Sequence, residues 1–129
     1  MAARILIVDD HESVRKGLRF MLEESPEWQV CGEASDGREA VEKAKTLKPD
    51  LILMDFLMPN MNGLEAAREI AKLSPRPPIL MLTMYMSKQL VEEAQKAGVR
   101  GALHKSETSR VVNALQALLR RETYFLPAN

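Results

Sequence analysis

Short runs of consecutive apolar residues recur along the chain, and three of them contain no polar residue: Ile5–Val8, Leu51–Met54 and Ile79–Leu82. A continuous apolar run is typical of a parallel strand covered on both faces, whereas a half-exposed strand alternates apolar and polar residues. Two patchier stretches, Trp28–Ala34 and Val99–Leu103, fit strands at the edges of the same sheet. The pattern therefore predicts five strands, with the three apolar runs in the centre.

The segments between these strands have apolar residues at the spacing of a helix that packs one face on a sheet. The five stripes are Val14, Leu18, Met21 and Leu22; Ala40, Val41, Ala44 and Leu47; Leu64, Ala67, Ile70 and Ala71; Leu90, Val91 and Ala94; and Val111, Val112, Leu115, Leu118 and Leu119. Residues that commonly begin or end helices stand at matching places: Asp36 with Glu39 as a capping box, Ser87 and Ser106 as N-caps, and Gly98 as a C-cap. Five helices are predicted.

Strict alternation of five strands and five helices predicts an α/β fold, because parallel neighbours need a crossover helix and such crossovers are right-handed. A sheet order of 2-1-3-4-5 places the two weaker strands at the edges. This is the flavodoxin-like (βα)5 arrangement, a doubly wound parallel sheet with helices on both faces. Its ligand site is expected at the carboxyl ends of the first and third strands.

The length, charge and cysteine content of the chain argue against some classes of function. The 129 residues are enough for one domain, and 18 basic against 18 acidic residues give a net charge of zero. This balance argues against nucleic-acid binding through bulk electrostatics, so we expect no direct DNA binding by the domain. The single cysteine, Cys31, suits a reducing compartment. Because we find neither a signal peptide nor an apolar stretch of roughly 18 residues, we expect a cytoplasmic protein without membrane contact.

Polar residues stand where the predicted strands end. Asp9 and Asp10 follow the first strand, Asp55 follows the third, Thr83 ends the fourth, and Lys105 follows the fifth. The carboxyl ends of parallel strands share one edge, so three carboxylates, a hydroxyl and an ammonium converge there. Two carboxylates ~4 Å apart repel by about 4 kcal/mol at an effective dielectric of 20, so a bare cluster of three would either take up protons or recruit a cation. Oxygen ligands with room for water favour Mg²⁺ over zinc.

Other interpretations of these residues are weaker. Each aspartate alone fits a turn or helix cap, and only the combination with Thr83 and Lys105 favours a site. A flavin carrier would need a Ser/Thr/Gly phosphate loop after the first strand, where this chain has Asp9–Glu12. A P-loop nucleotide enzyme would need the motif Gly-x-x-x-x-Gly-Lys-Ser/Thr, which is absent. His11 begins like a zincin helix, but the fifth position of that motif is Arg15, so His11 is interpreted as an exposed helix-start residue.

Four ordered motifs resemble the receiver domain of bacterial two-component response regulators: Ile5–Asp10, Asp55–Gly63, Thr83 and Lys105–Ser106. The similarity covers the chain to about residue 121. Many receivers have Lys-Pro where this chain has Lys105–Ser106. That difference, together with the tail Glu122–Pro127, resembles the NarL/FixJ-type transcriptional regulators in particular.

The resemblance implies a magnesium site at the strand ends. Asp10, Asp55 and the backbone carbonyl of Leu57 would hold Mg²⁺ directly, and Asp9 would act through a water molecule. This assignment agrees with the carboxylate cluster, because Mg²⁺ is a hard cation that prefers oxygen ligands and retains some of its water.

The resemblance also implies a phosphoacceptor. Asp55 would take a phosphoryl group from the phosphohistidine of a sensor histidine kinase, or from a small-molecule phosphodonor. Lys105 would pair with the phosphoryl oxygens, and Thr83 would donate its hydroxyl to one of them. Such a domain is not an enzyme in the usual sense, since it catalyses only its own phosphorylation and dephosphorylation. A phosphorylation-dependent homodimer is a further expectation.

The domain organisation allows more than one function. Residues 1–121 are interpreted as the receiver, and residues 122–129 as a C-terminal tail or the start of an interdomain linker to a helix-turn-helix domain. A stand-alone single-domain regulator is an alternative. A third class is an aspartate-nucleophile phosphatase, which usually carries its nucleophile on the first strand as Asp-x-Asp; a multiple-turnover phosphomonoester assay would distinguish it.

The chain departs from the family at one position of interest. Many receivers carry Tyr or Phe three residues before the lysine, where this chain has Ala102. A methyl group cannot report movement of Thr83 by swinging a ring, so we expect a backbone shift after Thr83 instead. Tyr85 and Leu57 are expected to shield the phosphoryl group and to slow its hydrolysis. On the first helix, Arg15, Lys16 and Arg19 form either a solvated basic face or a kinase-docking surface.

Overall fold

The predicted apolar stretches all form strands in the computed structural model, which describes residues 2–125. The five strands are β1 Ala3–Val8, β2 Trp28–Ala34, β3 Leu51–Met54, β4 Ile79–Thr83 and β5 Gly101–His104. All neighbours pair in parallel, in the order β2-β1-β3-β4-β5. The predicted flavodoxin-like class and strand order are therefore confirmed. The fifth strand begins two residues later than predicted, because Val99 and Arg100 lie outside regular secondary structure.

A sixth strand, β6 Tyr124–Phe125, was not predicted. It pairs in parallel with β5, and Ala102 lies opposite Phe125 in the register. The expectation that β5 is an edge strand is therefore wrong, and two residues assigned to the tail or linker belong to the sheet. Two residues carry too little periodicity to reveal a strand. The remainder of that tail, residues 126–129, lies outside the described residues.

Within residues 2–125, five α-helices cover the two faces of the sheet: α1 Glu12–Glu23, α2 Gly37–Leu47, α3 Gly63–Ile70, α4 Lys88–Lys96 and α5 Val111–Leu119. Apolar residues of α2, α3 and α4 pack on one face, against strand residues that include Leu6, Ile52 and Met81. Those of α1 and α5 pack on the other, against Ile7 and Leu53 among others. Because alternate residues of each central strand enter opposite clusters, the continuous apolar runs are buried on both faces. None of the helices in the described range has the length and apolar character that a bilayer-spanning helix requires.

Predicted cap residues lie at helix ends at three of the four sites, but the capping box of Asp36 with Glu39 is only half formed. The Asp36 side chain accepts from the backbone N–H of Glu39, whereas the Glu39 carboxylate accepts from the backbone N–H of Ser35. The Ser87 hydroxyl accepts from the backbone N–H of Leu90. Gly98 adopts a left-handed φ of 95° just after α4, where glycine is favoured. Ser106 does not cap α5. Instead, a 3₁₀ segment, Lys105–Arg110, precedes α5, and the His104 ring caps that segment by accepting from the Ser106 N–H at 3.0 Å.

Candidate functional site

The predicted site residues lie along the carboxyl edge of the sheet. The backbone N–H of Asp55 donates to the carbonyl of Val8 at 3.0 Å, so the end of β3 is joined directly to the end of β1. Thr83 pairs in register with His104, which places the end of β4 beside Lys105. The order of the strands therefore brings Asp9 and Asp55 to the centre of this edge, with Lys105 arriving from β5.

Lys105 joins two buried aspartates. Its Nζ lies 2.8 Å from Oδ2 of Asp9 and 3.0 Å from Oδ2 of Asp55. The side chains of Asp9 and Asp55 are only 3% and 8% exposed, and that of Lys105 is 14% exposed. An ammonium between two carboxylates offsets their mutual repulsion, which is stronger at a buried site than in water.

Burial raises the pKa of the Asp55 carboxyl above its ordinary value, and the nearby charge of Asp9 adds to this rise, while hydrogen bonding to Lys105 opposes it. For Lys105, burial alone would lower the pKa, but the hydrogen bonds to Asp9 and Asp55 outweigh burial and raise it. The ammonium is therefore held in its charged form, and one positive charge serves two carboxylates. The site retains an excess of negative charge that a cation would offset.

Asp10 and His11 complete the acidic end of β1. One carboxylate oxygen each of Asp9 and Asp10, together with a ring nitrogen of His11, lie within 4.8 Å of one another. The His11 Nδ1 is 3.3 Å from Asp9 Oδ1 and 3.2 Å from Asp10 Oδ1. The Asp10 side chain is 30% exposed and that of His11 is 66% exposed, so this part of the site is open to water. His11 is an exposed helix-start residue, as predicted, but it also contacts the acidic pair.

The loop after β3 is held close to Asp55. The backbone N–H of Phe56 donates to Asp55 Oδ1 at 2.7 Å, and the N–H of Gly63 donates to the carbonyl of Phe56 at 2.7 Å. A Cβ on Gly63 would collide with the backbone carbonyl oxygen of Asp55, so this close return requires glycine. Asn62 and Glu65 form a capping box at the start of α3. The loop that carries Leu57 is thus fixed at both ends.

Thr83 is fully buried at the end of β4. Its Oγ1 accepts a hydrogen bond from the backbone N–H of Tyr85 at 3.1 Å, which leaves the hydroxyl hydrogen available for another acceptor. Thr83 is therefore positioned by the loop that follows it. Leu57, Met84 and Tyr85, here called the rim residues, follow the ends of β3 and β4 and are 48%, 57% and 63% exposed.

Residues 5–116 match the family model of the response regulator receiver domain. The chain belongs to this family.

Relatives of the receiver agree with the predicted subfamily. Response regulator protein VraR of Staphylococcus aureus is 41% identical over 98% of this chain and 61% of its own length. A two-component response regulator of the LuxR family from Aurantimonas is 34% identical, with a TM-score of 0.91 over 98% of this chain and 90% of that structure. The receiver domain of a Mycobacterium tuberculosis regulator assigned as NarL is 29% identical, with a TM-score of 0.87 over 92% and 97% of the two chains. This chain spans about 61% of the length of its curated relatives.

One contact of the receiver site was missed by the sequence analysis. Arg15 donates from Nη1 to the backbone carbonyl of Asp9 at 2.7 Å and from Nε to Glu33 Oε1 at 2.9 Å. Arg19 donates to the other carboxylate oxygen of Glu33 at 2.9 Å. The predicted basic face of α1 is therefore largely an ion-paired network. The sequence signal for this network was Glu33 on β2 next to a helix that carries Arg15 and Arg19. The sequence does not show the pairing itself, because the pairing depends on side-chain conformation.

A separate groove of about 740 Å³ lies at the opposite edge of the receiver, beside the starts of β1, β4 and β5. It is lined by the prolines of residues 75–78, by Arg76, Arg100 and Arg121, and by apolar residues of α3 and α5. None of the strand-end carboxylates borders it. The predicted site of the receiver therefore lies away from this groove.

Proposed function

We propose that Asp55 of this receiver accepts a phosphoryl group from the phosphohistidine of a sensor histidine kinase, in a reaction that requires Mg²⁺. The observation that carries the proposal is the contact of Lys105 with both Asp9 and Asp55 at a buried strand edge. A lysine and a pair of carboxylates at that edge match what phosphoryl transfer needs, which is positioning and charge neutralisation.

The donor set fits Mg²⁺. Three carboxylates stand against one ammonium, and the partly exposed Asp10 leaves room for the water that Mg²⁺ retains. Asp10, Asp55 and the backbone carbonyl of Leu57 would hold the ion, and Asp9 would act through water. When bound, Mg²⁺ would supply positive charge to the phosphoryl oxygens.

Asp55, Lys105 and Thr83 have different roles in the transfer. A carboxylate oxygen of Asp55 forms a bond to phosphorus while the bond from phosphorus to the histidine nitrogen breaks, and the electron pair returns to the imidazole. Lys105 exchanges its contact with Asp55 for the phosphoryl oxygens, and Thr83 donates its free hydroxyl hydrogen to one of them. Hydrolysis of the acyl phosphate by water then restores the carboxylate and releases phosphate.

We also propose a phosphoryl donor, a compartment and an output for the reaction. Acetyl phosphate and similar donors would replace the kinase in vitro, and the domain would catalyse only its own phosphorylation and dephosphorylation, in the cytoplasm. The relatives exceed this chain in length, and the LuxR-type kinship favours a transcription regulator whose DNA contacts are made by a separate output domain. Phosphorylation would change that output, in part through homodimerisation.

The test is phosphorylation by acetyl phosphate with Mg²⁺, followed by intact-protein mass spectrometry. We expect the parent protein to gain a single phosphoryl group. We expect no addition when Mg²⁺ is omitted, and none to Asp55→Asn. Asp50→Asn is the matched control, because Asp50 is an exposed aspartate at the other end of β3. Undiminished labelling of Asp55→Asn would remove Asp55 from the role proposed for it.

A further inference from the structure

Arg15 connects the acidic loop after β1 to the neighbouring strand. Its guanidinium donates to the Asp9 carbonyl with one nitrogen and to Glu33 with another, at 2.7 and 2.9 Å. The Arg15 side chain is only 16% exposed. Burying a guanidinium is costly unless its donors are satisfied, so this is a specific arrangement.

Glu33 is itself held from several sides. Arg19 donates to its second carboxylate oxygen at 2.9 Å, and the Lys43 ammonium from α2 donates to its backbone carbonyl. Burial would raise the pKa of Glu33, but the hydrogen bonds from Arg15 and Arg19 outweigh it and lower the pKa below its ordinary value. Glu33 therefore remains charged and provides a fixed anchor for Arg15.

The backbone of Asp9 is fixed on both sides. Its N–H donates to the Ala34 carbonyl at 3.0 Å, and its carbonyl accepts from Arg15. The N–H contact continues the β1–β2 ladder. The contact with Arg15 lies beyond the ladder, at the peptide bond between Asp9 and Asp10. Mutual repulsion among the carboxylates would push this peptide outward. A guanidinium on its carbonyl opposes that movement and adds positive charge near the cluster.

We propose that Arg15 is a positioning residue for divalent-metal binding: anchored by Glu33, it holds the Asp9–Asp10 peptide where the carboxylates can share an ion. The inference rests on the proposed function, since it concerns the same metal site. Arg15 touches neither the metal nor the phosphoryl group. Partners that orient metal ligands in this way typically change metal affinity by roughly 10–100-fold when they are removed.

The test measures Mn²⁺ affinity directly by electron paramagnetic resonance of free Mn²⁺, with Mn²⁺ as the probe for the site. Arg15→Met keeps the length of the side chain and deletes its donors. Arg19→Met is the matched control, because it removes the other arginine of Glu33 and leaves the Asp9 carbonyl contact intact. We expect Arg15→Met to raise the Kd for Mn²⁺ roughly tenfold and Arg19→Met to change it less than about twofold. With saturating Mg²⁺, the phosphorylation rate of Arg15→Met should return to within about twofold of the parent, because the reacting groups are unchanged.

The outcomes separate the two proposals. A parent protein that binds no Mn²⁺ would overturn the proposed function. A parent that binds Mn²⁺ with the same Kd as Arg15→Met would overturn only the role of Arg15, as would an equal loss of affinity in both variants. Should Arg15→Met fail to fold, Glu33→Gln replaces it, since it removes the charge that anchors Arg15. An unchanged Kd in that variant would likewise overturn the inference.

Discussion

At the scale of single residues, Lys105 contacts two buried aspartates at the strand ends. Two buried carboxylates share one ammonium, and Phe56 adds a backbone donor to Asp55. The sequence could predict that Asp9, Asp55 and Lys105 converge, because strand ends in a parallel sheet share one edge. It could not predict the contact of Arg15 with Asp9 or that of His11 with Asp10, because both depend on rotamers and loop geometry.

Lys105→Met should destabilise the fold by roughly 2–3 kcal/mol at pH 7, because it leaves two buried carboxylates without their cation. Urea unfolding measures this. The raised pKa of Lys105 means that its contribution is complete below the unfolded value of 10.5 and is lost as pH rises through the folded value. The deficit should also shrink in acid, because Asp55, whose pKa is raised, becomes protonated at a higher pH than an ordinary aspartate.

A double variant provides the control for this prediction. Adding Asp55→Asn to Lys105→Met removes one of the two uncompensated charges and should recover part of the lost stability. A Lys105→Met protein as stable as its parent at pH 7 would show that the ammonium does not compensate the aspartates.

The rim residue Tyr85 allows a further prediction. Tyr85 and Leu57 are 63% and 48% exposed, so neither side chain is buried against the site in this structure. Shielding of the acyl phosphate therefore requires these side chains to fold inward after phosphorylation. Tyr85→Ala should shorten the acyl-phosphate half-life, measured by release of phosphate after the donor is removed. An equal half-life in Tyr85→Ala and the parent would exclude shielding by Tyr85.

At the scale of elements, the segment from β4 to α4 is where phosphorylation should be transmitted. The Thr83 hydroxyl holds the N–H of Tyr85, and the Ser87 hydroxyl caps α4 four residues later. Movement of Thr83 toward a phosphoryl group would pull on this loop directly. The buried Ala102 on β5 has no ring to swing, so the backbone is the available carrier of the change.

Amide hydrogen exchange of residues 83–97 tests this switch. With Mg²⁺ and beryllofluoride, an analogue of the phosphoryl group, we expect altered protection across the loop and the first turns of α4. Residues of α2, which packs on the same face of the sheet as α4 but beside β1 and β2, should change little and serve as an internal control. Unchanged exchange in residues 83–97 would exclude a backbone switch.

Most element boundaries were open to prediction because apolar periodicity and caps agree. The start of α5 could not be predicted, because His104 and Glu107 form a capping box at the start of a 3₁₀ segment that precedes α5. Histidine is an uncommon residue at such a position. A serine after Lys105 looked like the cap because serine usually has that function. Local hydrogen bonding by a less common cap residue decided the outcome instead.

At the scale of the whole molecule, β6 extends the sheet beyond the predicted domain boundary. Phe125 packs on the cluster that contains Ala102 and α4, so it places an aromatic ring on the sheet face where Ala102 leaves little side chain.

Phe125→Ala should cost roughly 2 kcal/mol of unfolding free energy, about half the usual loss for a fully buried phenylalanine. Phe20→Ala is the matched control, because Phe20 is 74% exposed and its loss should change stability by no more than about 0.5 kcal/mol. Equal effects of the two substitutions in urea unfolding would show that β6 does not contribute to the folded domain.

The most direct test of the account is to locate the phosphoryl group. Protein treated with acetyl phosphate and Mg²⁺ is digested in acid, where acyl phosphates survive longer than at high pH, and its peptides are sequenced by mass spectrometry. We expect one phosphorylated peptide, with the group on Asp55, and none when Mg²⁺ is chelated. A phosphoryl group on another residue, or labelling that persists without a divalent metal, would contradict it.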